Sequence, residues 1–77
     1  MPGSAELKPT HDELEARRRV LLERLERLDP RAKAATGYAS VRRLLGTTYR
    51  RANLAARVAV LEAAQFMLGV LEMLPPV

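Results

Sequence analysis

The sequence has no cysteine and no tryptophan, one histidine (His11), and only three aromatic residues, Tyr38, Tyr49 and Phe66. Without cysteine, disulfides and thiolate metal sites are excluded. A single histidine near the start makes no His-based metal site. Domains below roughly 70–80 residues usually need a metal, disulfides or oligomerisation to become secure. At 77 residues, with the first two removed, oligomerisation is the stabiliser left open. The lack of cysteine also fits a reducing compartment, so a cytoplasmic setting is expected.

Acid is missing from the middle of the chain. Residues 1–31 carry seven acids and seven bases, residues 32–57 six bases and no acid, and residues 58–77 only Glu62 and Glu72. The net charge of +4 therefore comes from Lys33, Arg42, Arg43, Arg50, Arg51 and Arg57, less the two late glutamates. Such a partition points to an anionic partner, or to pairing with acids of the first helix or of a neighbouring subunit.

Met1 to Lys8 has no apolar run behind a positive start, unlike a signal peptide. With Pro2, Gly3 and Pro9, residues 1–9 read as a disordered lead and residues 10–77 as a single helical domain. Thr10-His11-Asp12-Glu13 is a capping box that starts a helix at about residue 11. On a 100° wheel Leu14, Leu21, Leu22, Leu25 and Leu28 form one stripe, with Arg18 filling its gap. Glu13–Arg17, Glu15–Arg19 and Glu23–Arg27 have the i,i+4 spacing of helix-stabilising pairs, each adding roughly 0.2–0.5 kcal/mol. Asp29-Pro30 ends this helix near Leu28, and residues 29–37 form a connector closed by Gly37 in a left-handed conformation.

The second helix is expected over residues 38–74. Its apolar face runs from Tyr38, Val41, Leu45 and Tyr49 through Ala52, Ala55, Ala56, Ala59 and Ala63 to Phe66, Val70 and Met73. The register survives Gly46, where the helix either continues or bends; a break with Thr47 as a new cap would give three helices. Pro75-Pro76 ends it. Its alanines admit the leucine stripe of the first helix at close range. The expected fold is an all-α antiparallel helical hairpin.

The two helices differ in length, about 27 Å against about 54 Å at 1.5 Å per residue, so the first covers half of the second. Behind the apolar face, residues 42–57 present Arg42, Arg43, Arg50 and Arg57, a candidate anion or nucleic-acid contact. Residues 60–71 present Val60, Leu61, Ala64, Leu68 and Leu71 in the same sector. A helix apolar nearly all round is a buried helix. Those five residues are the candidate protein interface, and a homo-oligomer, dimeric or tetrameric, is expected.

No HExxH, GxGxxG or P-loop pattern occurs. Glu62, on the edge of the apolar face, reads better as a partner for an arginine than as a catalytic acid. No catalytic, cofactor or metal residue is predicted, and an enzyme is not expected. The arginine stripe lacks interleaved aromatics, which suits phosphate contact and not base readout. Val58 to Leu74 is at the lower length limit for spanning a bilayer and contains Glu62, Gln65 and Glu72. Charges near a bilayer centre cost about 2.5–3.5 kcal/mol each, which disfavours insertion. Residence on a membrane surface is also not the expected partner mode.

Leu61-Glu62-Ala63-Ala64, followed by aliphatics, resembles the second helix of the small two-helix chaperones of type III secretion needles, the YscE-like group. That resemblance implies a helical hairpin that chaperones a partner helix. It spans only these generic helix residues and carries over no site residues. The function expected from the residues themselves is protein interaction, by a small adaptor, chaperone or scaffold, through the C-terminal helix. Nucleic-acid binding by a helical dimer through the arginines is the alternative.

Overall fold

The computed structural model describes residues 9–75, an all-helical arrangement with no strand among them. Of the lead expected at residues 1–9, residues 1–8 lie outside the described residues.

Helix α1 (His11–Glu26) begins at the capping box. The Glu13 amide donates to Thr10 Oγ1 at 3.1 Å, and the Thr10 amide donates to Glu13 Oε1 at 2.7 Å. Two of the amide donors left free at a helix start are thereby satisfied. The amides of Arg27 and Leu28 bond three residues back, at 3.2 and 3.3 Å, so the last turn tightens and the helix closes two residues before Leu28. Leu14, Leu21, Leu25 and Leu28 are buried as the stripe requires. The i,i+4 pairs do not close. Among the described residues the ion pairs are instead Glu15–Arg18 at 3.5 Å and Arg24–Glu72 at 2.6 Å.

Asp29 caps the short α2 (Pro30–Ala34), accepting from the Ala32 amide at 3.0 Å, with Pro30 in the first turn. Helix α3 (Thr36–Arg43) follows directly from the extended Ala35. Gly37 is therefore not a left-handed cap; no glycine among the described residues has positive φ. It lies in the first turn of α3, where a Cβ would stand 3.5 Å from Leu71 Cδ2 at the far end of the last helix.

From α3 the chain runs on through a π-helical segment (Leu44–Thr48) into α4 (Tyr49–Arg51). The chain thus continues through Gly46 in a wide turn, without a new cap at Thr47. The effect of that turn is on register. Val41, Leu45 and Tyr49, four residues apart, are all fully buried. At 100° per residue such spacing drifts about 40° a step, and a wider turn reduces that drift.

The helix expected over 38–74 is interrupted at Ala52–Asn53. Both residues are extended, with ψ of 149° and 176°. Helix α5 (Leu54–Glu72) starts afresh, Asn53 Oδ1 accepting from the Ala56 amide at 2.8 Å. Asparagine is among the strongest N-caps, and here it wins over helix continuation.

This break decides the topology. His11, at the start of α1, lies 3.3 Å from Arg57 at the start of α5, and Arg24 meets Glu72 at the other end of both. Helices α1 and α5 therefore run parallel. The intervening α3–α4 rod runs back, Gly37 beside Leu71 and Tyr49 beside Arg57. The path is up, down, up, in place of one long helix against a short one. It also exchanges the faces of the last helix: Leu61, Ala64 and Leu68 are fully buried, whereas Phe66 and Met73 are exposed.

Candidate functional site

The outer face of α5 gathers three of the five large hydrophobic residues exposed among the described residues. Phe66 is 74% exposed, Met73 82% and Val70 49%. Ala56, Ala59 and Ala63 are exposed on the same side. These six residues, 56-59-63-66-70-73, step by three and four in alternation. That is the a/d repeat of a coiled-coil seam. Val60, Met67 and Leu74 flank it on one side, half-buried, while Glu62 and Gly69 flank it on the other. The core residues of α5 lie on the opposite side of the helix.

The residues expected to form the interface are elsewhere. Leu61, Ala64, Leu68 and Leu71 pack inside the chain, against α1 and the α3–α4 rod, and Val60 lies at the edge. Wheel geometry had correctly separated two apolar faces of α5. It had carried the register of Val41 and Tyr49 across Ala52–Asn53, and so put the wrong face inward. The signal for the right assignment is Asn53 itself, a cap residue ahead of an apolar run.

The arginines divide into two groups. Arg57 is consumed by the fold: its Nε donates to the Tyr49 carbonyl at 3.0 Å and its Nη2 to the Arg50 carbonyl at 3.3 Å. The Tyr49 carbonyl also accepts from the Ala52 amide at 3.2 Å, so the guanidinium adds a second bond there and reaches the Arg50 carbonyl beside it. Arg42, Arg43, Arg50 and Arg51 are exposed, and among the described residues none has a carboxylate partner. Arg42 stands 5.9 Å over the Tyr38 ring. Arg43 and Arg51 line a groove with Thr47, Thr48, Ala56 and Val60, so the basic patch abuts the N-terminal end of the seam.

Behind the break sits Tyr49, fully buried, with Arg57 4.6 Å from its ring centre and Arg18 at 5.1 Å. Arg18 Nε donates to the Leu45 carbonyl at 2.5 Å, inside the π-helical segment. This explains an arginine in the leucine stripe of α1. Among the described residues no group lies within good hydrogen-bond geometry of the Tyr49 hydroxyl, the Glu15 carboxylate being its nearby acidic neighbour. Burial pushes the phenol pKa up, and the Glu15 carboxylate adds to that, against the two arginines. At the other end of the helices, the hydrogen bond from Arg24 holds Glu72 below the usual carboxylate range, although partial burial opposes it.

Glu62 is exposed, and among the described residues no three His, Asp or Glu side chains gather as a metal set. Among the described helices α5 alone is long and apolar enough to cross a membrane, with 22% of its apolar window buried. No protein-family model, curated protein or solved structure matches the chain.

Proposed function

We propose that this protein is a non-enzymatic interaction module, an adaptor, small chaperone or scaffold, that acts through the outer face of α5. The observation carrying this reading is the line of Phe66, Val70 and Met73 with Ala56, Ala59 and Ala63, exposed at a/d spacing. Contiguous apolar surface of this kind marks a protein interface more often than it marks nothing. A helix presenting such a ribbon suits helix-on-helix recognition. Assembly of two or four chains into a larger bundle, forming a homo-oligomer, follows from the same face.

The test is Phe66→Glu, with Val70→Glu as an independent second variant. Both sites point to solvent in the single chain, so helicity and the thermal midpoint should be retained. Complex formation should fall sharply. Complexes that survive both changes would remove α5 from the interface.

A second reading is favoured by Arg42, Arg43 and Arg50, exposed without carboxylate partners. These suit contact with a phosphate backbone. Arg57, expected in the same stripe, is withdrawn from it by its internal bonds. A gel shift with generic DNA and RNA at low salt tests this, since phosphate contacts are strongest there. No shift would remove the reading.

A further inference from the structure

We infer that the occupant of the α5 face is a second copy of this chain, laid antiparallel across a two-fold axis between Ala63 and Phe66. The inference rests on the α5 reading above. It comes from the order of side-chain sizes along the seam, small in its N-terminal half and large in its C-terminal half.

A two-fold interface brings the same patch together from both copies, so the seam must fit itself. Antiparallel pairing of a with d positions sets Ala56 against Met73 of the second copy, Ala59 against Val70, and Ala63 against Phe66. Each pairing matches one small residue with one large one, so the helices remain evenly spaced and the seam fills. A parallel pairing would set Ala59 against Ala59 and Phe66 against Phe66. It would leave a gap at one end and crowding at the other, and gaps forfeit the contacts that close packing supplies.

Charge agrees with size. Arg43 and Arg51, without a carboxylate partner among the described residues, flank the N-terminal end of the seam at Ala56. In a parallel pair, these arginines of the two copies would stand side by side. In the antiparallel pair they lie at opposite ends, roughly 25 Å apart along the axis at 1.5 Å per residue. Each set then neighbours the C-terminal end of the other copy's α5, the negative end of the helix dipole. Glu62, the charge that α5 itself places beside the seam, falls opposite Gly69 and meets no like charge.

Because the chain has no cysteine, introduced thiols report this arrangement without interference. Ala56→Cys and Met73→Cys are made separately in the full chain and oxidised alone and mixed. The mixture should give a disulfide dimer between the two variants, and neither variant alone should cross-link, its thiols being about 25 Å apart. Self-linking of Ala56→Cys alone would overturn the antiparallel arrangement. Sedimentation of the unmodified chain should show a dimer, weakened on the order of 30-fold or more by Phe66→Glu, as for a central interface anchor. A monomer at all concentrations overturns the second copy as occupant. The α5 face would then survive only if Phe66→Glu abolishes capture of a different protein, or release from lipid vesicles shows a membrane surface in its place. A dimer indifferent to Phe66→Glu overturns both the inference and the reading beneath it.

Discussion

The guanidinium of Arg57 lies 4.6 Å from the ring centre of Tyr49 while its Nε donates to the carbonyl of that same tyrosine. One side chain from the first turn of α5 thus closes the end of α4 and covers its last buried residue. The clamp bridges the extended Ala52–Asn53 link, adding to the Ala52 amide's own bond to the Tyr49 carbonyl and reaching the Arg50 carbonyl as well. Arg57→Ala should destabilise the chain by about 1–3 kcal/mol, the loss of charge-assisted hydrogen bonds together with the ring contact. Arg57→Lys should recover only part of this, since an ammonium cannot reproduce the fork that reaches two carbonyls and stacks on a ring. Urea denaturation measures both. An Arg57→Ala chain with an unchanged midpoint would show that the clamp is incidental.

Tyr49 leads to an opposite expectation. Its hydroxyl is enclosed and, among the described residues, unpaired, so Tyr49→Phe removes a desolvated group without opening a cavity. The variant should be as stable as the parent or more stable at neutral pH. The pH dependence follows from burial and Glu15 raising the phenol pKa in the folded chain. The folded state then holds its proton more tightly than the unfolded state, whose tyrosine titrates near about 10. This contribution to stability is complete below that value and is lost as pH rises through the higher folded value. Denaturation midpoints followed through this alkaline window should fall for the parent, and the Tyr49→Phe chain should fall less. Parallel curves would separate the tyrosine from alkaline unfolding.

Much of α1 and the connector was legible because their signals are local. Thr10 with Glu13, and Asp29 with Pro30, specify caps by side chains within three residues of the amides they serve. The leucine stripe is equally local. What escaped the sequence was non-local or competed with a stronger pattern. The apolar face running from Val41 through Tyr49 to Met73 is continuous on a wheel, and it outweighed a single asparagine. In the folded chain Asn53 prevails, with Arg57 reaching back across the break to the Tyr49 and Arg50 carbonyls, a contact that periodicity does not show. The candidate site inherited that error. Both faces of α5 were visible, but which was inside depended on the break.

That exchange of faces is open to direct measurement. Leu68→Ala empties a fully buried position and should cost about 2–5 kcal/mol, enough to threaten folding in so small a chain. Phe66→Ala, at an exposed position on the same helix, should change the stability of the single chain by no more than about 0.5 kcal/mol. Working at concentrations where the chain is monomeric keeps any interface out of the comparison. Equal losses at the two positions would contradict the burial pattern. Asn53→Ala, which removes the cap without touching either face, should cost about 0.5–2 kcal/mol.

The ion pair between Arg24 and Glu72 ties the parallel ends of α1 and α5 through two hydrogen bonds of 2.6 and 3.0 Å. Its geometry is bidentate, but the side chains retain 34% and 36% of their exposure, so solvent screens the attraction. A double-mutant cycle with Arg24→Ala and Glu72→Ala should therefore return a coupling of about 1 kcal/mol or less, shrinking as salt is added. The acid side has a definite sign. The bond from Arg24 lowers the Glu72 pKa in the folded chain, whereas in the unfolded chain glutamate titrates near about 4.3. The stabilisation is present above that value and is lost as pH falls through the lower folded value. Glu72→Gln should remove this part of the acid dependence while leaving α5 helical, as circular dichroism and acid titration would show. If the acid titration of the Gln variant overlays that of the parent, the pair contributes nothing to holding the two helix ends together.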